Sequence, residues 1–132
     1  MQGLLQISAS AGSGKTYTLA KRYIMLLIFT TGSDGLLHLR QATGYHSHIL
    51  AITFTNKATG EMKRRIVDEL FILATRPEGS DFLRDFKKED EDQHIFAPGA
   101  LDKDKVQRAA RQALAAVLYD YGTFNVDRKS VV

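Results

Sequence analysis

Residues 8–16, SASAGSGKT, decide the fold of this chain. They follow the short apolar run Leu4–Ile7 and open a helical pattern at Lys15, which predicts a strand, a glycine-rich loop and a helix. Glycines allow a tight turn, so that N–H groups point into one concavity, and the helix N-terminus adds positive potential there. An ordinary Gly/Ser turn is the alternative, but the Gly-Lys-Thr ending favours a phosphate-binding P-loop.

The residue types of this loop indicate the ligand. Lys15 can reach the β- and γ-phosphates of a nucleotide, and the Thr16 hydroxyl can coordinate Mg²⁺. We therefore predict ATP and Mg²⁺ as cofactors, with Lys15 and Thr16 as the catalytic pair and Thr16 as the magnesium ligand. Ala9 stands where the usual pattern begins with Gly. The predicted nucleotide-binding residues are Ser10, Ala11, Gly12, Ser13, Gly14, Lys15, Thr16 and Tyr17.

Composition and charge limit the class of protein. The 132 residues, 44% of them hydrophobic, allow one modest core and leave no room for two full domains. The net charge of +3 is compatible with nucleic-acid binding, although many unrelated proteins share it. The absence of cysteine excludes disulfides and thiolate metal sites. The longest apolar run, Tyr23–Phe29, is much shorter than a membrane span, so we expect a cytoplasmic protein with no membrane partner.

Hydrophobic periodicity predicts an alternation of strands and helices. We expect a helix over Lys15–Thr30, a surface connection over residues 36–48, a buried strand over Ile49–Phe54 and a second helix over Asn56–Ala74. A strand, helix, strand and helix in this order imply a parallel sheet with right-handed crossovers. The predicted fold class is therefore α/β, a P-loop fold built on a parallel sheet.

The second half of the chain carries weaker signals. The segment Arg76–Gly99 is polar and is expected to contain one short helix, Asp81–Lys88. The mixed charge run Lys87–Asp92 is interpreted as a solvated loop rather than a metal site. A third helix is predicted over Asp102–Asp120, and one more strand around Thr123–Val126.

Residues 49–66, ILAITFTNKATGEMKRRI, are the second informative stretch. Ligands of open α/β sheets bind at the carboxyl ends of the strands, so the polar residues that follow this predicted strand are binding candidates. They offer an aromatic ring, hydroxyls, an amide and a cation, which suit the bases and phosphates of single-stranded nucleic acid. A capped helix start with Phe54 in the core is the alternative. The predicted DNA-binding residues are Thr53, Phe54, Thr55, Asn56 and Lys57.

These two stretches resemble motifs of the UvrD/RecB-like superfamily 1 DNA helicases. Residues 9–19, ASAGSGKTYTL, are similar to motif I of that family, in which Ala commonly replaces the first Gly. Residues 49–66 are similar to motif Ia, a single-stranded DNA contact of the family. The form of the P-loop and the strand directly before it resemble the RecB/AddA exonuclease-helicase branch. The resemblance covers residues 3–75 and, more loosely, the helix at 102–120.

The resemblance implies a RecA-like P-loop NTPase fold with three layers, α/β/α, in which helices cover both faces of the parallel sheet. It also implies an ATP-dependent DNA helicase that translocates on single-stranded DNA and unwinds duplex DNA. The implied partners are DNA, the rest of the helicase chain and, in the RecB branch, a second helicase-nuclease subunit, with a nuclease domain following the motor. The sequence has no apolar strand ending in Asp-Glu and no second motor domain. We therefore expect residues 1–132 to be the N-terminal part of motor domain 1A, with no ATP turnover of its own.

Two other functions stay open at this stage. A small P-loop phosphotransferase would share the P-loop and the sheet, but would need a lid with arginines and an acidic base. A non-catalytic nucleic-acid binding module leaves the pair Lys15 and Thr16 unexplained. DNA titration distinguishes the phosphotransferase from the helicase. Mutation of Lys15 distinguishes the non-catalytic binding module from the helicase.

Overall fold

The computed structural model of this chain contains both strands and helices. It describes residues 5–8, 13–41, 45, 49–53, 56–121 and 126–128, with side chains at 16–41, 45, 49 and 57–121. The strands in this part of the chain are β1 Leu5–Ser8, β2 Phe29–Thr31, β3 Leu37–Leu39, β4 Ile49–Thr53 and β5 Val126–Arg128. The helices there are α1 Ser13–Ile28, α2 Asn56–Thr75, α3 Asp81–Gln93 and α4 Lys103–Tyr119, with a 3₁₀ turn at Pro77–Gly79.

The larger sheet is parallel, as the sequence predicted. β4 lies between β1 and β5 and pairs in parallel with both. Ser8, the last residue of β1, is paired with Ile52 near the end of β4. The loops that follow β1 and β4 therefore leave the same edge of the sheet. β5 begins at Val126, later than the strand predicted around Thr123–Val126.

The end of α1 differs from the prediction. The helix stops at Ile28, because β2 leaves it to pair with β3 in an antiparallel hairpin. The Arg40 guanidinium closes the helix by donating to the carbonyl oxygens of Leu26 and Phe29, at 3.0 and 2.7 Å. A cation at this end also interacts favourably with the helix dipole. The prediction of a surface connection over residues 36–48 was therefore wrong at Leu37–Leu39, which form β3.

The segment 76–99, predicted to be polar with one short helix, contributes several apolar side chains to the core. α3 continues to Gln93, so the charge run 87–92 is helical rather than a loop. The Ser80 hydroxyl caps this helix by accepting the N–H of Leu83 at 3.1 Å. The exposed charges of α3 lie on one side, while Phe82, Leu83 and Phe86 are buried on the other.

Aromatic side chains join this segment to the hairpin. The Phe86 ring centroid lies 6.0 Å from that of Phe29 and 5.9 Å from that of Phe96. Phe29 and Phe96 are themselves 5.0 Å apart and tilted by 70°. All three rings are buried, so they form the part of the core beneath the hairpin.

Helices α2 and α4 pack against each other. The α2 stripe at Ala58, Met62, Ile66, Leu70 and Leu73 is buried. The C-terminal end of α2 is tied to α4, since the carbonyl oxygen of Ala74 accepts from Gln107 Nε2 and Arg111 Nε, both at 3.0 Å. Within the described residues, no helix combines the length and the apolar character needed to cross a bilayer.

Candidate functional site

The P-loop candidates lie at the start of α1. Because the helix begins at Ser13, the backbone N–H groups of residues 13–15 lie in its first turn, where a helix offers them no intrahelical acceptor. This is the arrangement that a phosphate-binding helix end requires. Ser10, Ala11 and Gly12 lie outside the described residues, as do the side chains of Ser13 and Lys15.

The DNA-binding candidates lie at the same edge of the sheet. Thr53 is the last residue of β4 and Asn56 is the first residue of α2. Lys57 is exposed in the first turn of that helix. Phe54 and Thr55 lie outside the described residues, as do the side chains of Thr53 and Asn56. Two candidate sites therefore follow adjacent parallel strands.

Thr16 shares a cleft with the charged face of α2. It is only 8% exposed, and it lines a cleft of about 350 Å³. Two carboxylates and two guanidinium groups share this wall, so its formal charge is balanced. The described residues that line the cleft are Thr16, Glu61, Arg64, Arg65 and Asp68.

The sequence does not predict this contact, because a charged face of a helix usually points to solvent. The positions 61, 64, 65 and 68 follow helical spacing and form a single polar stripe. That periodicity marks a shared face, but it gives no information on what the face contacts. The same helix thus begins at the DNA-binding candidates and forms the wall beside the candidate magnesium ligand.

Tyr17 is held by two other helices. Its hydroxyl donates to Asp85 Oδ2 at 2.8 Å, and its ring meets the edge of Phe82 with centroids 5.0 Å apart. The Arg65 guanidinium of α2 lies 5.9 Å from the Tyr17 ring centroid. These contacts fix the first turns of α1, next to the P-loop, against both α2 and α3. The predicted nucleotide contact of Tyr17 stays a prediction.

Lys21 extends the same network. Its Nζ lies 3.3 Å from Asp85 Oδ2 and 3.9 Å from Glu89 Oε2. The helical period of α1 places Lys21 away from its apolar stripe, which favours exposure to solvent. α3 covers that side of α1 instead and leaves the side chain 17% exposed. Sequence offered no local signal for this pair, since 64 residues separate Lys21 from Asp85.

Burial and these contacts shift the pKa values of Tyr17, Asp85 and Glu69. Burial and the hydrogen bond to Asp85 raise the pKa of Tyr17 to about 12. Burial pushes the pKa of Asp85 upward, but the hydrogen bonds from Tyr17 and Lys21 outweigh it and the pKa is lowered. Burial raises the pKa of Glu69, against the opposing effect of Arg65. At neutral pH, Tyr17 is therefore a neutral donor to a charged Asp85.

We expect Asp85→Asn to lower the free energy of unfolding by about 1 kcal/mol at pH 7, because a partly buried charged acceptor is lost. Since the folded-state pKa of Asp85 is lowered, its contribution is present above the unfolded pKa of about 4. The contribution is lost as the pH falls through the folded value. Urea unfolding at pH 7 and pH 3 measures the difference, which should shrink at pH 3.

The matched control is Asp92→Asn, an exposed carboxylate on the same helix. It should change the free energy of unfolding by less than about 0.5 kcal/mol. Equal destabilisation by Asp85→Asn at both pH values would contradict a role for the charge.

Comparison with known proteins places this sequence in a family. The family model for the UvrD/REP helicase N-terminal domain matches residues 1–120. The RecBCD enzyme subunit RecB of Chlamydia pneumoniae is 41% identical over 70 residues, which are 53% of this chain and 6% of the relative. RecB of Escherichia coli (strain K12) is 40% identical over 79 residues, 58% of this chain and 6% of the relative.

A second type of relative shows the same partial coverage. The ATP-dependent DNA helicase UvrD1 of Mycobacterium leprae is 47% identical over 62 residues, 47% of this chain and 6% of the relative. The chain thus spans about 6% of the length of these relatives. No solved structure matched it. Because the family model covers most of the chain, this protein belongs to the UvrD/REP helicase N-terminal domain family.

Proposed function

We propose that this chain is the ATP-binding and DNA-binding N-terminal part of motor domain 1A of a DNA helicase. The placement of the two candidate sites carries the proposal: the P-loop and the segment 53–57 follow adjacent parallel strands at one edge of the sheet. In open α/β proteins, ligands bind at this edge. The complete domain is proposed to have three layers, with helices on both faces of the parallel sheet.

The nucleotide is held at the start of α1. Residues 10–14 wrap the phosphates with backbone N–H groups, Lys15 contacts the β- and γ-phosphates, and Thr16 coordinates Mg²⁺. Mg²⁺ would supply charge neutralisation at the phosphates when bound. The described part of the site fits this role, because Thr16 sits in the first turn of the helix beside a polar cleft.

Single-stranded DNA is held by Thr53–Lys57. The Phe54 ring stacks on a base, while Thr53, Thr55, Asn56 and Lys57 contact phosphates and sugars. Exposure of Lys57 in the first turn of α2 supports this role. Stacking and phosphate contacts carry little sequence information, which suits a protein that moves along DNA.

The two sites are coupled through the sheet and through α2. The stripe of α2 that lines the Thr16 cleft lies one to three turns from Lys57 on the same rigid helix. A change in the position of Thr16 on binding nucleotide would therefore be transmitted to the residues that grip DNA. Equal DNA affinity in the presence and absence of nucleotide, measured on a full-length relative, would contradict this coupling.

In the intact protein, we propose that ATP hydrolysis drives translocation on single-stranded DNA and unwinding of duplex DNA. The relatives named as RecBCD enzyme subunits support a multi-subunit assembly. The proposal includes a second helicase-nuclease subunit and a nuclease domain that follows the motor, as the resemblance to the RecB branch implies. The family match and the chemistry of the two motifs favour a cytoplasmic DNA-processing enzyme over a small phosphotransferase.

Replacement of Lys57 tests the DNA site. We expect Lys57→Ala to weaken binding of a single-stranded oligonucleotide roughly five- to tenfold at 50 mM salt, because one cation contributes a salt slope of about 0.7. Fluorescence anisotropy over a salt series measures both quantities. Lys88→Ala, which removes an exposed lysine of α3, is the control and should leave the affinity unchanged. Equal affinities of the two variants would contradict the assignment.

A further inference from the structure

A second cleft, of about 460 Å³, lies at the other end of α1. It opens between the end of β3, the turn at residues 97–100 and the first turns of α4. The hairpin contributes His38 and Arg40, and α4 contributes Lys105 and Arg108. No acidic residue is found among the described residues that line it.

Two of these four basic side chains are already engaged. Arg40 donates to the carbonyl oxygens of Leu26 and Phe29, so it offsets the negative end of α1. His38 Nε2 lies 3.0 Å from both carboxylate oxygens of Asp34. These contacts shape the cleft and leave the cations of α4 to act on a ligand.

The charged groups of Lys105 and Arg108 are accessible to a ligand. Both are exposed, and neither forms an ion pair with a carboxylate in the described ranges. Their spacing of three residues places them side by side on the helix. The carboxylate of Asp102 caps α4 by accepting the backbone N–H of Lys105 at 3.2 Å, and Asp102 does not line the cleft. Two unpaired cations therefore face an open cleft, near the positive end of a helix dipole.

The cleft is separate from the candidate nucleotide site. Arg40 binds the carbonyl oxygen of Leu26, which lies ten residues along α1 from Thr16. At about 1.5 Å per residue, the two positions are about 15 Å apart along the helix. A change of charge in the cleft should therefore leave nucleotide affinity unaltered.

We propose that this cleft binds the phosphodiester backbone of nucleic acid, as a second contact in addition to Thr53–Lys57. Lysine and arginine contacts to phosphates add affinity and fix the path of a strand without reading its sequence. Gln41 and Gln112, which also line the cleft, offer amide donors to phosphate or sugar oxygens. The proposal rests on the proposed function, since only a DNA-binding protein presents a strand to this surface.

The test compares two charge-matched double variants of the 132-residue chain. Lys105→Gln with Arg108→Gln removes the cleft cations, and Lys87→Gln with Lys88→Gln removes two exposed lysines of α3 outside the cleft. Binding of a single-stranded oligonucleotide is measured by anisotropy over a salt series. The cleft variant should lose about 1.4 from the salt slope and roughly tenfold or more in affinity at 50 mM salt. The α3 variant should match the wild type, and circular dichroism confirms that both are folded.

Three outcomes would overturn the proposal. If the cleft variant, the α3 variant and the wild type all bind the oligonucleotide with the same affinity and the same salt slope, the cleft does not contact the strand. The site at Thr53–Lys57 is unaffected by that result. If the cleft variant loses affinity for poly-glutamate but not for the oligonucleotide, the cleft binds acidic polypeptide instead. If the wild type binds no DNA, both this proposal and the DNA part of the proposed function fail, while nucleotide binding is tested independently by titration.

Discussion

Phe86→Ala should destabilise the protein by about 3–5 kcal/mol, which is the usual effect of removing a fully buried aromatic ring. Phe86 is 1% exposed and packs against the rings of Phe29 and Phe96. A domain of this size has a total stability of about 5–15 kcal/mol. The variant should therefore lose a large fraction of its stability, which thermal and urea unfolding measure as a lower melting temperature and a lower urea midpoint.

The chain offers a control of the same residue type. Phe71 on α2 is 58% exposed, so Phe71→Ala should change the free energy of unfolding by no more than about 0.5 kcal/mol. A similar loss in both variants, or a negligible loss in Phe86→Ala, would contradict the placement of the segment 76–100 in the core.

Lys15→Ala should weaken ATP·Mg²⁺ binding roughly ten- to hundredfold, because a charge-assisted hydrogen bond to phosphate contributes about 1.5–3 kcal/mol. The substitution lies in the first turn of α1 and should leave the fold intact, which unfolding curves can verify. Titration with a fluorescent ATP analogue measures the affinity. Lys88→Ala serves as the control and should bind as the wild type does. Unchanged affinity in Lys15→Ala would exclude the P-loop assignment.

Patterns within a short stretch predicted most of the fold. The strand before the P-loop, the helix after it, β4 and the apolar stripe of α2 were each predicted from local spacing. The parallel pairing of β1 with β4 followed from the order of these elements, since a helix connects the two strands. The observed end of α2, Thr75, and the observed start of α3, Asp81, lie within one residue of the predicted bounds.

Contacts between distant parts of the chain could not be predicted in the same way. Phe29 continues the helical period of α1, but its burial against Phe86 and Phe96 favours the hairpin over another turn of helix. The charged composition of α3 hid its three buried apolar residues, because they occupy one narrow stripe. Tyr17 and Lys21 meet Asp85 only after α3 has packed on α1.

The candidate site divides along the same line. Sequence indicated candidate residues for binding nucleotide and DNA, because the chemistry resides in the motifs themselves. It gave no indication that Thr16 shares a cleft with a stripe of opposite charges on α2, or that Tyr17 is bound by Asp85. Those contacts suggest how the first turn of α1 is held in place for its proposed role.

The most direct test of the account is a crossed titration of the wild-type chain, Lys15→Ala and Lys57→Ala with ATP·Mg²⁺ and with a single-stranded oligonucleotide. Two separate sites on one motor fragment predict that Lys15→Ala loses nucleotide and keeps salt-sensitive DNA binding, while Lys57→Ala shows the reverse. ATP turnover should be negligible in all three. Nucleotide binding with robust turnover and no DNA affinity would contradict the helicase assignment and indicate a small phosphotransferase.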